Sequence, residues 1–167
     1  MRLVADTMLG RLAKWLRLLG YDTLYWRGDD ARLARLVLAE NRLLLTRDTH
    51  LPPRLPPHLT LFIDSDHYDE QLDQVIARVG LPPRIGCLCL RCNLPLEPVD
   101  KAGLRSEIPE FVWQTHERFA RCLGCRRIYW EGTHYARMLE TLERLPGWQT
   151  RVVAAMKNMK KENSRCA

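Results

Sequence analysis

The chain opens with an apolar run at residues 2–5 that stops at Asp6, and Leu9, Leu12, Ala13, Leu16 and Leu19 then recur at helical spacing until Gly20. A strand followed by an amphipathic helix is the reading. Residues 23–26 and 42–46 repeat the strand pattern around a helical stretch at 31–40, with Leu33, Leu36 and Val37 on its inward face. Beyond a proline-rich loop holding Pro52, Pro53, Pro56 and Pro57, residues 59–63 form a fourth strand, and Leu72, Val75, Ile76 and Val79 mark a third helix. Gly80 with Pro82 and Pro83 closes the unit.

Strands alternating with helices imply an α/β fold: a parallel sheet with right-handed crossovers, flanked by helices. The order expected is 2-1-3-4, which sets strands 1 and 3 side by side. Ligands of such sheets bind beyond the carboxyl ends of the strands. From residue 84 to about 134 the pattern turns to short segments without a sustained helical period, the mark of a small metal-stapled module. A further helix is expected over 135–145 with Thr133 at its cap, ended by Pro146 and Gly147. The domain reading is therefore residues 1–83, residues 84–147 and a basic polar tail, 148–167, without a packed core of its own.

Composition changes this picture little. The net charge is +6, but residues 1–80 carry 11 basic and 11 acidic groups, and the last 17 residues carry 5 against 1. Most of the excess is in the tail, so bulk charge says little about nucleic acid. No stretch approaches a membrane span, and Asp6 and Arg11 come too early for a signal peptide, so a cytoplasmic protein without a membrane partner is expected. Six cysteines in a reducing compartment point to metal rather than disulfides.

Asp6 ends strand 1, Asp30 opens the second helix and Asp48 follows strand 3, so all three fall at one edge of the sheet. Carboxylates gathered there repel one another unless a hard cation, Mg²⁺ or Mn²⁺, sits among them. Each also has a simpler explanation: Asp6 and Asp30 stand where helix caps are expected, and Asp48 where an Asx-turn fits. Glu40, Asp64 and Asp66 read as ordinary solvated carboxylates. Arg11, Lys14 and Arg47 are candidates for positioning a phosphate backbone, although a solvated helix face also accounts for Lys14 and Arg17.

The strings DTMLGRLAKWLRLLGYD, AENRLLLTRDTHL and RCLGCRRIYWEGTHYARM resemble, in this order, the Mut-seven C-terminal RNase family, a PIN-like nuclease domain fused to a zinc ribbon. The resemblance spans about residues 2–140. It implies that Asp6, Asp30 and Asp48 are acids that hold divalent metal to cut RNA. A fourth acid of the PIN-like pattern has no clear match.

Cys89 and Cys92, and Cys122 and Cys125, form two Cys-x-x-Cys pairs separated by 29 residues. Two such knuckles complete a tetrahedral thiolate site, and four protein ligands make the zinc structural. The site would stabilise a module too small for a core of its own. Cys87 lacks knuckle spacing and reads as a small buried residue, and Cys166 as a free thiol in the tail. Asn93 suits the left-handed turn after a knuckle, whereas Arg126 stands where glycine is usual. Tyr129 and Trp130, beside Arg126 and Arg127, either stack on unpaired bases or pack the ribbon onto the α/β domain, and His134 is a capping, packing or substrate-contact residue. The function expected is a metal-dependent ribonuclease acting on single-stranded or unpaired RNA. The alternatives are a non-catalytic RNA-binding or protein-interaction module, and a redox protein using its cysteines. Protein partners are not legible in the sequence.

Overall fold

The computed structural model describes residues 1–50, 55–81, 85–145 and 147–149. Pro52, Pro53, Pro82, Pro83, Cys166, nearly all of the basic tail and the side chain of His134 lie outside the described residues. Strands β1 (Leu3–Ala5), β2 (Thr23–Tyr25), β3 (Leu43–Thr46) and β4 (Thr60–Phe62) form a parallel sheet in the order β2-β1-β3-β4, the order expected. Side chains alternate across it. Leu3, Ala5, Leu43 and Leu45 join Leu12 and Leu16 of α1 (Gly10–Leu18) and Leu72, Val75 and Ile76 of α3 (Tyr68–Val79) in one core. Val4 and Leu44 point the other way, onto Leu33 and Val37 of α2 (Asp30–Glu40). Burial on both faces explains why the strands are nearly continuous in apolar residues.

The start of α2 differs from expectation. Asp29, not Asp30, is the cap of α2: its carboxylate accepts from the Arg32 N–H at 2.9 Å, and Asp30 is the first residue inside the helix. Asp6 does act as a cap, of a short 3-10 turn at Thr7–Leu9 that precedes α1.

The second sheet is antiparallel, β5 (Leu96–Val99), β6 (Phe119–Cys122) and β7 (Ile128–Trp130), in sequence order. The segment between β5 and β6 contains a short helix, α4 (Glu110–Thr115), that the sequence reading missed. It covers a small core of Leu104, Ile108 and Phe119 with Val99, Val112, Trp113, Ile128 and Trp130 around it. The module thus has an apolar centre of its own, contrary to expectation. Trp130 packs into that centre rather than onto the α/β domain.

Helix α5 (Thr133–Glu143) follows, capped by Gly132 rather than Thr133. It returns to the first sheet, where Leu142 and Leu145 are buried in the main core and Tyr135, Met138 and Leu139 pack against it. The antiparallel module is therefore held between two segments, α3 and α5, that share one core. Among the described residues, no helix is long and apolar enough to cross a membrane.

A polar clamp joins the module to the α/β unit. Arg17, expected on a solvated face, is only 7% exposed: its guanidinium donates to the carbonyls of Thr23, Leu90 and Arg91 at 2.8–3.0 Å. Asn93 accepts from the Thr23 N–H at 2.9 Å and donates to Asp22 at 2.6 Å. Asp22 also pairs with the buried Arg42 at 2.9 Å. Burial raises the Asp22 pKa, but the hydrogen bonds from Arg42 and Asn93 outweigh it and hold the carboxyl below its usual range.

Candidate functional site

Hydrogen bonding of the sheet continues past its strands and fixes the acidic edge. The Asp6 N–H donates to Leu45 at 3.1 Å and the Trp26 N–H to Ala5 at 2.9 Å. Asp6 therefore sits at the carboxyl edge of the sheet, between the residues that end β2 and β3. Asp6 is 5% exposed. Its Oδ1 accepts from the Met8 N–H at 2.9 Å, and Oδ2 accepts from the Thr46 hydroxyl and from the Arg47 N–H at 3.1 Å. A carboxylate offers about four lone-pair positions. Three are filled by donors, and the remaining one is on Oδ1.

Thr46 is the residue the sequence reading passed over. Its hydroxyl donates to Asp6 and accepts from the Asp48 N–H at 2.9 Å, so one buried side chain fixes both acids. The available signal was a threonine closing the apolar run of β3 immediately before Arg47 and Asp48. Asp48 also makes the Asx-turn expected of it, accepting from the His50 N–H at 2.8 Å through Oδ1.

A cleft of about 290 Å³ opens over these groups. Asp6, Asp30 and Asp48 all line it, from three different elements, together with Arg47, Met8 and Trp26. Gly28 makes room for the tryptophan: a Cβ there would lie 2.8 Å from the indole ring, whose N–H donates to the Asp29 carbonyl at 3.2 Å. Arg47 pairs with the exposed Asp66, so Asp66 is an ion-pair partner as well as a solvated carboxylate. Glu40 pairs likewise with Arg42 at 2.7 Å, and Asp64 accepts from Gln74. Of the other basic candidates, Arg11 lines a neighbouring cleft, and Lys14 is exposed on α1 and lines neither.

The second cluster consists of Cys89, Cys92, Cys122 and Cys125, whose sulfurs all lie within 4.8 Å of one another. Four thiolates about 2.3 Å from one tetrahedral zinc stand roughly 3.8 Å apart. Cys89 and Cys125 are at 3.6 Å, so the donor set and spacing fit a metal such as zinc. Cys87 is outside the cluster. The two knuckles turn alike: Asn93 and Arg126 both adopt left-handed conformations, φ 61° and 58°, and donate back to the carbonyls of Cys89 and Cys122. Arginine at 126 thus takes the geometry glycine would take, at a modest conformational cost.

Tyr129 belongs to this centre, its hydroxyl 3.1 Å from the Cys89 sulfur. Burial works against ionisation of Cys89, but the contacts from Tyr129 and the Cys92 and Arg91 N–H groups prevail and lower its pKa to about 6. The ribbon aromatics expected to meet RNA or the α/β domain are thus spent inside the module, Tyr129 on a ligand sulfur and Trp130 in the small core.

Among known proteins, a family model described as Mut7-C RNAse domain matches residues 1–142. No curated protein and no solved structure matches the chain.

Proposed function

Because the chain belongs to the Mut7-C RNAse domain family, we propose that it is a metal-dependent ribonuclease, PIN-like in its chemistry, that hydrolyses phosphodiester bonds of single-stranded or unpaired RNA. The observation that carries this reading is the convergence of Asp6, Asp30 and Asp48 on one open cleft at the carboxyl edge of a parallel sheet. In this reading they hold Mg²⁺ or Mn²⁺, either directly or through water. A cleft of this size suits an ion that keeps part of its hydration shell. A metal held there would supply an activated water and take up charge on the phosphodiester.

The protein's own groups have separable roles. Asp6 is fixed by three donors and presents the free lone pair of Oδ1 to the cleft. Asp48 is aligned through Thr46 and retains Oδ2. Asp30, exposed in the first turn of α2, acts from the far wall. Arg47 faces the same space and binds a phosphate oxygen on exchanging its Asp66 partner. The four cysteines hold one structural zinc, whose closed ligand set leaves no position for substrate. Thiolate ligands of this kind persist in a reducing compartment such as the cytoplasm.

The second reading, a non-catalytic RNA-binding or protein-interaction module, is favoured by the structural hydrogen bonds that Asp6 and Asp48 make. A panel of labelled unpaired and duplex RNAs, incubated with the protein in EDTA, Mg²⁺, Mn²⁺ and Ca²⁺, separates the two. Cleavage of unpaired RNA in Mg²⁺ or Mn²⁺, abolished by EDTA, is expected. Binding without cleavage under every condition leaves the second reading.

Thr46→Val tests the relay between the acids. The substitution keeps the shape of a buried site, removes a donor from Asp6 and leaves the Asp48 N–H without its acceptor. We expect a loss of about 1–3 kcal/mol in denaturant unfolding. Cleavage at saturating metal should fall by roughly ten- to a hundredfold, the upper figure being the scale of a catalytic group misplaced by about 1 Å. Unchanged stability and rate would show that the hydroxyl does not organise the cleft.

A further inference from the structure

We propose that Arg11 is a stacking platform for an unpaired nucleobase of the RNA, the base next to the phosphate being cut. The proposal rests on the ribonuclease reading above and adds a binding site to it.

The site is a second cleft, of about 410 Å³, lined by Arg11, His67, Tyr68 and Gln71 among others. It shares Met8 and Arg47 with the acidic cleft, so the two are adjoining parts of one depression. Met8 is 63% exposed between them. A chain whose phosphate lies at the aspartates passes Arg47 and places its neighbouring nucleotide here.

Three side chains meet at the Tyr68 ring, which lines this cleft. Trp15 is buried, and its ring stacks on Tyr68 with centroids 5.5 Å apart and an interplanar angle of 18°. The Arg11 guanidinium lies over the Tyr68 ring, 3.7 Å from its centroid. Trp15 is buried, Tyr68 half-buried and Arg11 exposed, so of the three groups the guanidinium is the one that meets solvent. Among the described residues, no carboxylate or carbonyl accepts from that guanidinium. Among those residues the Tyr68 ring is its partner, and its five donors stay available to a ligand.

Guanidinium planes stack on unpaired bases, and ordering the side chain in advance removes part of the entropy cost of doing so. Charge distinguishes a base from a phosphate as the occupant. Two carboxylates, Asp66 and Asp69, line the same cleft and offset Arg11 and Arg47. A charge-balanced pocket offers a phosphodiester monoanion no net attraction, while it suits a neutral base whose amino and imino groups can reach the carboxylates. Arg11 is thus assigned to a base, and the phosphate to Arg47.

The test uses the full chain, a short single-stranded RNA, and the same RNA carrying one abasic ribose at each position in turn. Binding is measured in Ca²⁺ and cleavage in Mg²⁺ or Mn²⁺, for wild type, Arg11→Lys and Arg11→Gln. With wild type, one abasic position should weaken binding about tenfold, the scale of a lost base stack. Both variants should bind intact RNA about tenfold more weakly and lose that positional penalty, and lysine should not rescue despite its charge. Wild-type affinity in Arg11→Lys, a penalty that persists in both variants, or no RNA binding at all would overturn the proposal. If the abasic signature appears but no metal supports cleavage, the ribonuclease reading fails and the stacking site stands as a binding site. If cleavage occurs and the abasic scan is flat, the reverse holds.

Discussion

Asp48→Asn lowers metal-assisted RNA cleavage by on the order of a hundredfold or more while leaving the fold intact, if a metal held there contributes several kcal/mol to the transition state. The structure makes this the cleaner of the two strand-end substitutions. Among the described residues only Oδ1 of Asp48 accepts from the protein, so an asparagine can keep the His50 contact and turn its amide nitrogen to the cleft. Asp6→Asn should lose at least as much activity, but it cannot be silent in stability. Both of its oxygens face N–H donors, from Met8 on one side and Arg47 on the other, so either orientation of the amide sets donor against donor. A loss of about 1–3 kcal/mol in unfolding free energy is expected alongside the kinetic effect. Asp30→Asn should cost less, because that side chain is exposed in the first turn of α2. Rates within a few-fold of wild type in Asp48→Asn, measured at saturating Mg²⁺, would remove Asp48 from the catalytic set.

Cys122→Ser should abolish metal binding at the cysteine cluster. Elemental analysis of the wild type should give one zinc per chain, and of the variant, none. Cys122 is fully buried, and its sulfur is one corner of a closed set, so three remaining thiols cannot complete the tetrahedron. The small core of the module is too slight to replace a structural zinc. The effect should also travel. Leu90, Arg91 and Asn93 of the first knuckle hold Arg17, Thr23 and Asp22 of the α/β unit, so an unmade knuckle frees a buried guanidinium and the start of β2. Faster proteolysis between residues 85 and 132 and a partial loss of helical signal are expected, with α1, α2 and α3 retained. Full zinc content in the variant, or complete loss of helix, would contradict this assignment.

The parallel sheet was legible because its signals are local. Apolar runs of three or four residues bounded by Asp6, Gly20, Asn41 and Pro56 leave few alternatives, and crossover handedness then limits the strand order. The acidic edge followed from the same topology. What escaped depends on contacts across the chain. Adjacent Asp29 and Asp30 are equivalent to a sequence pattern, and only the helix register separates the cap from the cleft residue. Arg17 has the spacing of a surface position on α1, yet the first knuckle, more than 70 residues later, supplies two carbonyls that bury it. Helix α4 is six residues long, too short for a period to show, and exists because Val112 and Trp113 cover the core beneath it. The pairing of Arg11 with Tyr68 lies 57 positions apart and leaves no mark in either segment.

The return of α5 to the first core has a consequence for how the chain is made. Leu142 and Leu145 are buried in the same core as α1 and α3, so that core is incomplete until a segment beyond the whole antiparallel module has been synthesised. The intervening stretch, from Val79 to Thr133, must have its ends brought together, and for a flexible loop that entropy cost grows with the logarithm of its length. A metal joining Cys89 and Cys92 to Cys122 and Cys125 would shorten the free loop to the few residues on either side of the knuckles. Metal loading at the ribbon would then accelerate closure of a core to which it contributes no ligand, and metal starvation would slow the maturation of a cleft it never touches.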